Sequence, residues 1–385
     1  MSSYTVRKLK IGKSDQLDSL ALAAGELYTR TLVSFWRTVN HKGIWLKPSS
    51  LMRWQNSSKL HAHSADAVVQ SFCSSLKSWR LRRKTDPNAH PPKRKTRFYK
   101  VQWKDSAIRL RDGILVLSNG KGNEPLSIPW KWEAPKLVEI GWDGEQYELR
   151  ATYCLPEPTL VESGIIVGID LGEIHAAVAH TGSECFILNG RELRSKRQYQ
   201  NKLKAAVSSK IDTKKNGSNR RRKLKRSKAK QLTKLNNQIR DIMHKQTTKL
   251  VSVLKARNTQ TVVIGDVRDI RSSIDYGKKA NQKLHQWAAG QIRWMLTYKA
   301  EREGMQVILQ NEAYTSQTCP SCGHRYKSNG RNYRCSNCGF EYHRDGVGSF
   351  NIRQKYLGEI PVVGLMACPI GLRYKPHALC SSVVV

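Results

Sequence analysis

The stretch GIIVGIDLG, residues 164–172, is the part of the sequence from which the fold is read most directly. Its apolar residues run almost without interruption up to Asp170. An unbroken run rich in Val and Ile is typical of a strand buried at the centre of a sheet. The glycine turn that follows leaves space beside the Asp170 carboxylate for a phosphate or a metal ion. The stretch therefore predicts a central strand that ends in an acid.

The segments that follow this strand alternate between the strand and the helix pattern. AAVAH and ECFIL predict two short strands, and a long helix with a basic lead-in around residues 216–218 comes next. After it come the strand TVVIGDV (261–267), a helix from about Gln282 to Glu303 and the strand MQVILQ (305–310). The order β-β-β-α-β-α-β is that of an α/β RNase H-like fold.

The N-terminal part of the chain has a different pattern. Residues 13–85 contain two amphipathic stretches that predict helices. Residues 97–155 consist of short, partly alternating runs separated by Gly, Pro and Asn, which predicts a β-rich module such as a small barrel.

The net charge of the chain indicates which class of partner it binds. The 385 residues carry 67 Lys and Arg against 30 Asp and Glu, a formal net charge of +37. With 39% hydrophobic residues the chain is not a disordered basic tail, so nucleic acid is the leading partner. Ribosomal or membrane-surface binding are the alternatives. Basic residues concentrate in residues 77–100 and 191–230, and we expect both stretches to contact phosphates.

Targeting signals are lacking in the sequence. The first residues, MSSYTVRKLKIG, have no apolar signal core, and no run approaches the roughly 18 apolar residues of a membrane span. We therefore expect a cytoplasmic protein of a prokaryotic cell, associated with the nucleoid when bound to DNA, and no membrane partner.

Four of the nine cysteines form two CxxC pairs twelve residues apart. Zinc prefers four thiolates in tetrahedral geometry, and each pair supplies two ligands from one turn. The pairs predict a structural zinc ribbon, a kind of module that is usually structural or binds nucleic acid. The predicted zinc ligands are Cys319, Cys322, Cys335 and Cys338.

Two acids far apart in the sequence predict a catalytic metal centre. Asp170 ends the first strand, and Asp345 follows the cysteine pairs at the head of a predicted helix. Two-metal hydrolysis of a phosphodiester needs three or four carboxylates that converge from different elements. An aspartate at a strand end is also a common capping residue. The prediction of a metal centre therefore rests on the combination of Asp170 with Asp345 and on the net charge.

These motifs, in this order, resemble the RuvC-like and zinc-ribbon half of the TnpB family, the transposon-encoded relatives of the type V CRISPR effectors. The resemblance rests on GIDLG, TVVIGDV and YTSQTCPSCGH…YRCSNCGFEYHRDGVGSFNI and covers residues 160–356. It implies an RNA-guided DNA endonuclease that uses Mg2+ in a RuvC-like site. It also implies a guide RNA made from the transposon end, and double-stranded target DNA recognised next to a short target-adjacent motif.

The resemblance also implies a domain layout. In this layout a zinc ribbon is inserted into a RuvC-like nuclease domain. A helical recognition lobe is inserted into an N-terminal wedge β-barrel. The expected bounds are 1–12 and 86–160 for the wedge, 13–85 for the lobe, 161–316 and 341–360 for the nuclease domain and 317–340 for the ribbon. Residues 361–385 have no assignment.

One position departs from the family pattern. The second RuvC motif of the family ends its strand in Glu-Asp-Leu, and the Glu binds metal. Here the triplet is Gly265-Asp266-Val267. We predict that Glu312, just after the strand 305–310, replaces the missing acid, because that strand should lie beside the one ending at Gly265. Asp266 is the rival, although alternation along a strand points it to the other face.

Other functions remain open at this level. A guide-directed protein that binds DNA without cutting fits the missing glutamate, and a compact type V CRISPR effector is a variant of the leading hypothesis. A zinc-ribbon RNA-binding protein would leave Asp170 and Asp345 without a role.

Overall fold

A computed structural model shows two compact units, Met1–Pro156 and Glu157–Val385. No helix in the described part of the chain is long and apolar enough to cross a membrane. The structure describes residues 3–95, 98–268, 287–328, 330–358 and 366–372, with residues 277, 281, 282, 284 and 285.

The first unit combines three helices with short antiparallel strands. Ser14 caps the first helix by accepting a hydrogen bond from the Leu17 backbone N–H, and Gly43 ends it in the left-handed conformation. The helices are α1 (Asp15–Lys42), α2 (Pro48–Trp54) and α3 (Ala62–Arg83). The strands are β1 (Ser3–Ile11), β2 (Val101–Lys104), β3 (Ile108–Arg111), β4 (Ile114–Leu117), β5 (Leu126–Pro129), β6 (Leu137–Trp142) and β7 (Tyr147–Leu155).

The strands of this unit form two antiparallel sheets, in the orders β1-β7-β6-β2 and β3-β4-β5. β1 pairs with β7 along its length, from Ser3 opposite Leu155 to Ile11 opposite Tyr147. The N-terminal strand therefore belongs to the same sheet as strands that follow the helices in the chain. This β-rich module agrees with the sequence pattern, while its closure into a barrel stays a prediction.

The described residues of the second unit form a six-stranded mixed sheet, a separate two-stranded hairpin and helices. Its strands are β8 (Ile165–Asp170), β9 (His175–His180), β10 (Cys185–Asn189), β11 (Thr259–Gly265), β12 (Gln306–Gln310), the hairpin β13 (Asn332–Arg334) and β14 (Glu341–His343), and β15 (Ile370–Leu372). Its helices are α4 (Arg191–Asp212), α5 (Asn219–Ala256), α6 (Ala289–Arg302) and α7 (Arg344–Leu357).

The sheet has the order β12-β11-β8-β9-β10-β15. β8 and β9 pair antiparallel, as do β9 and β10, whereas β11 and β12 run parallel to β8. This is the RNase H-like arrangement that the element order predicts, and β9 is fully buried and β11 buried at all but one residue. β15, in the C-terminal stretch without an assignment, adds a parallel strand beside β10.

The predicted long helix is wrong in one respect. The basic stretch is not a lead-in but contains a separate helix, α4, which folds back along α5 and hydrogen-bonds to it from Gln200 to Asn236. The chain reverses because Gly217 has a φ of 80° and the Ser218 hydroxyl accepts from the Arg221 N–H. We call α4 and α5 the basic hairpin.

Two predicted boundaries also differ from the structure. The helix predicted from Gln282 has its continuous part, α6, only from Ala289, and residues 283 and 286 lie outside the described residues. The strand predicted at 261–267 begins two residues earlier and ends at Gly265. Of the unassigned tail, residues 361–365 and 373–385 lie outside the described residues.

Candidate active site

Asp170 stands at the end of β8, the strand between β11 and β9. Helix α7 crosses this strand end so closely that a Cβ atom on Gly348 would lie 2.8 Å from Asp170 Oδ2. Burial raises the pKa of Asp170 to about 8, and the negative charges of Asp345 and Glu312 add to the shift. Three carboxylates from separate elements therefore share one electrostatic environment.

Asp345 lies in the first turn of α7, where the helix dipole favours a negative charge. Its Oδ2 lies 2.8 Å from Nδ1 of His175 at the start of β9. Burial alone would raise the pKa of Asp345, but the His175 hydrogen bond and the charges of His343, His175 and Arg344 outweigh it and lower the pKa below its usual value. Asp345 is therefore ionised at neutral pH.

Glu312 follows β12, which runs parallel to β11 with Gln310 opposite Gly265. A Cβ atom added at Gly265 would lie 2.7 Å from Oε2 of Glu312. The Glu312 carboxylate thus occupies the space where a side chain at position 265 would begin. Burial raises the pKa of Glu312, and the charge of Asp266 raises it further.

Asp266 is engaged by two arginines. Arg268 Nε lies 2.8 Å from Asp266 Oδ2, and Arg293 Nη1 of α6 lies 3.2 Å from Oδ1. The hydrogen bond from Arg268 is the main reason that the pKa of Asp266 is lowered. These partners already neutralise the carboxylate, in contrast to the mutual repulsion around Asp170.

Asp170, which is subject to the negative charges of Asp345 and Glu312, and these two acids together are suited to divalent cations. Each supplies hard oxygen ligands, which Mg2+ prefers over nitrogen or sulfur. Bound cations would remove the repulsion that, with burial, keeps Asp170 protonated near neutral pH. In the chemistry of their donor atoms, Asp170, Glu312 and Asp345 are compatible with the carboxylate ligands that a hydrolytic metal pair uses.

Asp170→Asn is expected to stabilise the protein in Mg2+-free buffer at alkaline pH. Because the folded-state pKa of Asp170 is about 8 against an ordinary 3.8, its stabilising contribution is complete below about pH 4 and is lost as the pH rises to 8. Asn mimics the protonated acid at every pH. Thermal unfolding with zinc-loaded protein should show the variant melting a few degrees higher at pH 9, with the gain shrinking toward pH 5.

The exposed Asp212→Asn is the control, and its melting temperature should follow the parent across this pH range. A parent and an Asp170→Asn variant that lose stability in parallel between pH 5 and 9 would contradict the raised pKa.

The four-cysteine module that the sequence predicts to be a zinc ribbon, called the ribbon below, lies between Glu312 and α7 in the chain. Sγ of Cys319 is 3.6 Å from Sγ of Cys338, and Sγ of Cys322 is also 3.6 Å from Sγ of Cys335. Four thiolates at the usual zinc–sulfur bond length lie about 3.8 Å from one another, so the cluster fits tetrahedral zinc. The glycines after each pair have φ values near +70°, as the knuckle turns require.

The turn after Glu312 is clamped between the ribbon and α7. Tyr314 has a φ of 67°, and the Arg325 guanidinium of the ribbon lies 3.8 Å from its ring centroid. The Asn351 side-chain amide of α7 donates to the carbonyls of Thr315 and Thr318, each at 2.7 Å. The ribbon therefore positions the segment that carries Glu312.

Sequence reasoning missed the histidines around Asp345. His175 lies 170 positions away along the chain, and no spacing rule connects the two residues. His343 ends β14, and its ring centroid lies 4.9 Å from that of His175. Burial lowers the pKa of His343 and so favours its neutral form. The local sequence His343-Arg344-Asp345 was the available signal.

Comparison with known families gives two matches. Residues 290–352 match the family described as "Cas12f1-like, TNB domain", and residues 146–271 match the IS605 OrfB family described as "Probable transposase". The first match lies within the second unit, and the second match begins in the last residues of the first unit and continues into the second.

Individual relatives give the same picture. A putative transposase of Methanocaldococcus jannaschii is 35% identical over 88 residues, 20% of this chain and 81% of that protein. A TnpB-like protein of the same organism is 30% identical over 140 residues, 36% and 50% of the two chains. A putative RNA-guided DNA endonuclease of Streptomyces pristinaespiralis is 29% identical over 265 residues, which are 66% of this chain and 61% of that protein. The chain thus spans about half of the TnpB-like relative and about three fifths of the putative endonuclease.

Among solved structures, a Cas12f1–sgRNA–target DNA complex resembles the chain with a TM-score of 0.58. It covers 88% of this chain and 81% of that protein, at 13% identity. The likeness supports a RuvC-containing, type V-like fold.

Proposed function

The chain belongs to the TnpB family, and from this premise we propose that it is an RNA-guided DNA endonuclease of a transposable element. It cuts guide-matched double-stranded DNA next to a short target-adjacent motif, in a Mg2+-dependent reaction. Its guide is an RNA made from the transposon end. The relative named as a putative RNA-guided DNA endonuclease supports this reading.

The convergence of Glu312 on Gly265 is the observation that carries the proposal. Without an acid at this place the centre would retain only Asp170 and Asp345. Glu312 fills the space above the glycine and shifts the pKa of Asp170 through its charge. A surface glutamate with no role in the site would have no reason to be half-buried among carboxylates.

In the proposed reaction, Asp170, Glu312 and Asp345 would hold the metal ions. Mg2+ bound there would supply Lewis acidity and an activated water for displacement at a phosphodiester. Asp170, whose pKa of about 8 leaves it protonated near neutral pH, would have to give up its proton to act as a ligand. Asn351 and Arg325 fix the turn that aims Glu312. Asp266 stays paired with Arg268 and Arg293.

The proposed domains keep the bounds given by the resemblance. The wedge comprises residues 1–12 and 86–160, and the pairing of β1 with β7 supports joining these segments. Residues 13–85, which include α1 to α3, form the recognition lobe. The nuclease domain and the zinc ribbon share the second unit.

The basic hairpin is the proposed phosphate-binding surface of the second unit. Arg222, Lys223 and Arg226 are exposed on α5, in the stretch where seventeen of forty residues are basic. Replacing all three by Gln should reduce the slope of log affinity against log salt by about 2–3 on duplex DNA, because each phosphate contact contributes about 0.9. Binding titrations between 50 and 300 mM salt, roughly the usual range, measure the slope.

Lys255→Gln is the matched control on the same helix. Its ammonium group already pairs with Glu303 at 2.6 Å, so its loss should leave the slope nearly unchanged. An unchanged slope in the triple variant would exclude the basic hairpin as the phosphate-binding surface.

Two other functions have observations in their favour. The absence of an acid at Gly265 favours a protein that binds guided DNA without cutting it. The likeness to the Cas12f1 complex favours a compact type V CRISPR effector, and a repeat array beside the gene, in place of a transposon end, would decide for it.

Sequencing the RNA that copurifies with the protein tests the guide. We expect one enriched species whose sequence maps to the transposon end and continues into the flanking DNA. An RNA from a repeat array would establish the CRISPR variant, and random cellular RNA would reject guided recognition.

A further inference from the structure

His175, His343 and Asp345 form a cluster beside the three-carboxylate site. One potential ligand atom from each residue lies within 4.8 Å of the other two. One pair, His175 Nδ1 and Asp345 Oδ2, lies 2.8 Å apart, a hydrogen-bond distance that is also close to the separation of neighbouring ligand atoms on one small metal ion. The residues come from β9, the end of β14 and α7.

His343 has an unused buried nitrogen. Its Nδ1 is buried and has no hydrogen-bond partner within the described residues. His343 occupies the N-cap position of α7, but its side chain does not cap the helix. An imidazole nitrogen in this situation costs stability unless a partner satisfies it.

We propose that His175, His343 and Asp345 bind a divalent transition-metal ion such as Mn2+ at a site distinct from the oxygen-only Mg2+ centre. Two imidazoles and one carboxylate favour first-row transition metals over Mg2+, which prefers oxygen ligands and retains its waters. The ion uses Oδ2 of Asp345, so the two centres share this residue. The site does not depend on guide-directed cutting.

Arg331 of the zinc ribbon competes for this site. Its Nη1 lies 3.4 Å from His175 Nδ1 and 3.5 Å from Asp345 Oδ2. These distances are at or beyond the outer limit of a good hydrogen bond, and the side chain is 37% exposed, so it can turn toward solvent. Arg331→Gln should therefore increase Mn2+ affinity, whereas a site in which Arg331 merely orients Asp345 would lose affinity.

The test is Mn2+ electron paramagnetic resonance on full-length protein whose ribbon is loaded with zinc. Electron spin-echo modulation should reveal 14N coupling from imidazole. In His175→Gln/His343→Gln the coupling should disappear and the affinity of this site should fall at least about tenfold, since even losing a partner of a ligand costs that much. His324→Gln, an exposed histidine of the ribbon, is the control and should retain the coupling.

Asp170→Ala separates this inference from the proposed nuclease. The variant should lose cutting but keep the 14N coupling, because Asp170 is not a ligand of the histidine site. Mn2+ bound to the parent without 14N coupling, or coupling that survives the double histidine substitution with zinc content unchanged, would overturn the proposal. Each single variant, His175→Gln and His343→Gln, gives the same readout if the double variant fails to fold.

Discussion

Glu312→Ala is expected to reduce DNA cutting at least about a hundredfold while leaving guided binding intact. A metal-binding carboxylate contributes several kcal/mol to stabilising the transition state of phosphodiester hydrolysis. Binding should persist because the residue lies on a turn that Asn351 and Arg325 hold independently of its side chain. Cleavage of guide-matched DNA and a gel-shift assay with the same protein–RNA complex measure the two properties.

Two reference variants are compared with Glu312→Ala in the same assays. Asp170→Ala should be inactive, whereas Asp266→Ala should retain most of the activity because its carboxylate is already paired with arginines. Normal cutting by Glu312→Ala would reject Glu312, and an inactive Asp266→Ala would favour its rival.

A double substitution tests the relocation itself. Gly265→Glu in the Glu312→Ala background should restore part of the lost cutting, since it returns a carboxylate to the same space. The added Cβ would then meet Ile352 Cδ1 at 2.9 Å, the end of a flexible side chain that can shift. In the parent background the same Gly265→Glu change should impair cutting, because its Cβ would lie 2.7 Å from Glu312 Oε2.

Cys335→Ser is expected to lower zinc content and DNA cutting together. Cys335 is a buried member of the four-thiolate cluster, and a serine hydroxyl is a poor substitute for a thiolate ligand. Losing zinc should loosen the ribbon, release the clamp on Tyr314 and misplace both Glu312 and α7, so that cutting falls at least about a hundredfold. Zinc analysis and the cleavage assay on the same preparation measure the two losses.

Cys154→Ser is the control, since Cys154 is an exposed cysteine of the first unit. It should keep one zinc per chain and normal cutting. Full zinc occupancy in Cys335→Ser would refute the ligand assignment, and normal cutting by a zinc-free protein would refute the coupling between ribbon and site.

The sheet of the second unit could be predicted because its central strands have a clear hydrophobic pattern in the sequence. β8 and β11 are unbroken apolar runs, and strands that run parallel end at the same edge of a sheet. The same rule predicts from the sequence that Glu312 lies near Gly265, and β11 and β12 are indeed parallel neighbours. The CxxC spacing likewise predicts that the four cysteines lie together, because each pair is local to one turn.

Other features depend on contacts that local patterns do not encode. The reversal in the basic hairpin was hidden because basic residues continue across it, and only Ser218 and Gly217 mark the turn. His175 meets Asp345 across 170 positions, through the packing of α7 on the sheet. The three-residue strand β15 has too few residues to show any periodicity.

Cleavage by the protein purified with its own RNA tests the central claim most directly. The substrates are linear duplexes that carry the guide-matched sequence or a version mismatched beside the target-adjacent motif, each with and without Mg2+. We predict cutting of the matched duplex in Mg2+ only, and none of the mismatched duplex. No cutting of matched DNA that the complex demonstrably binds, or cutting at a defined site by RNA-free protein, would contradict the account.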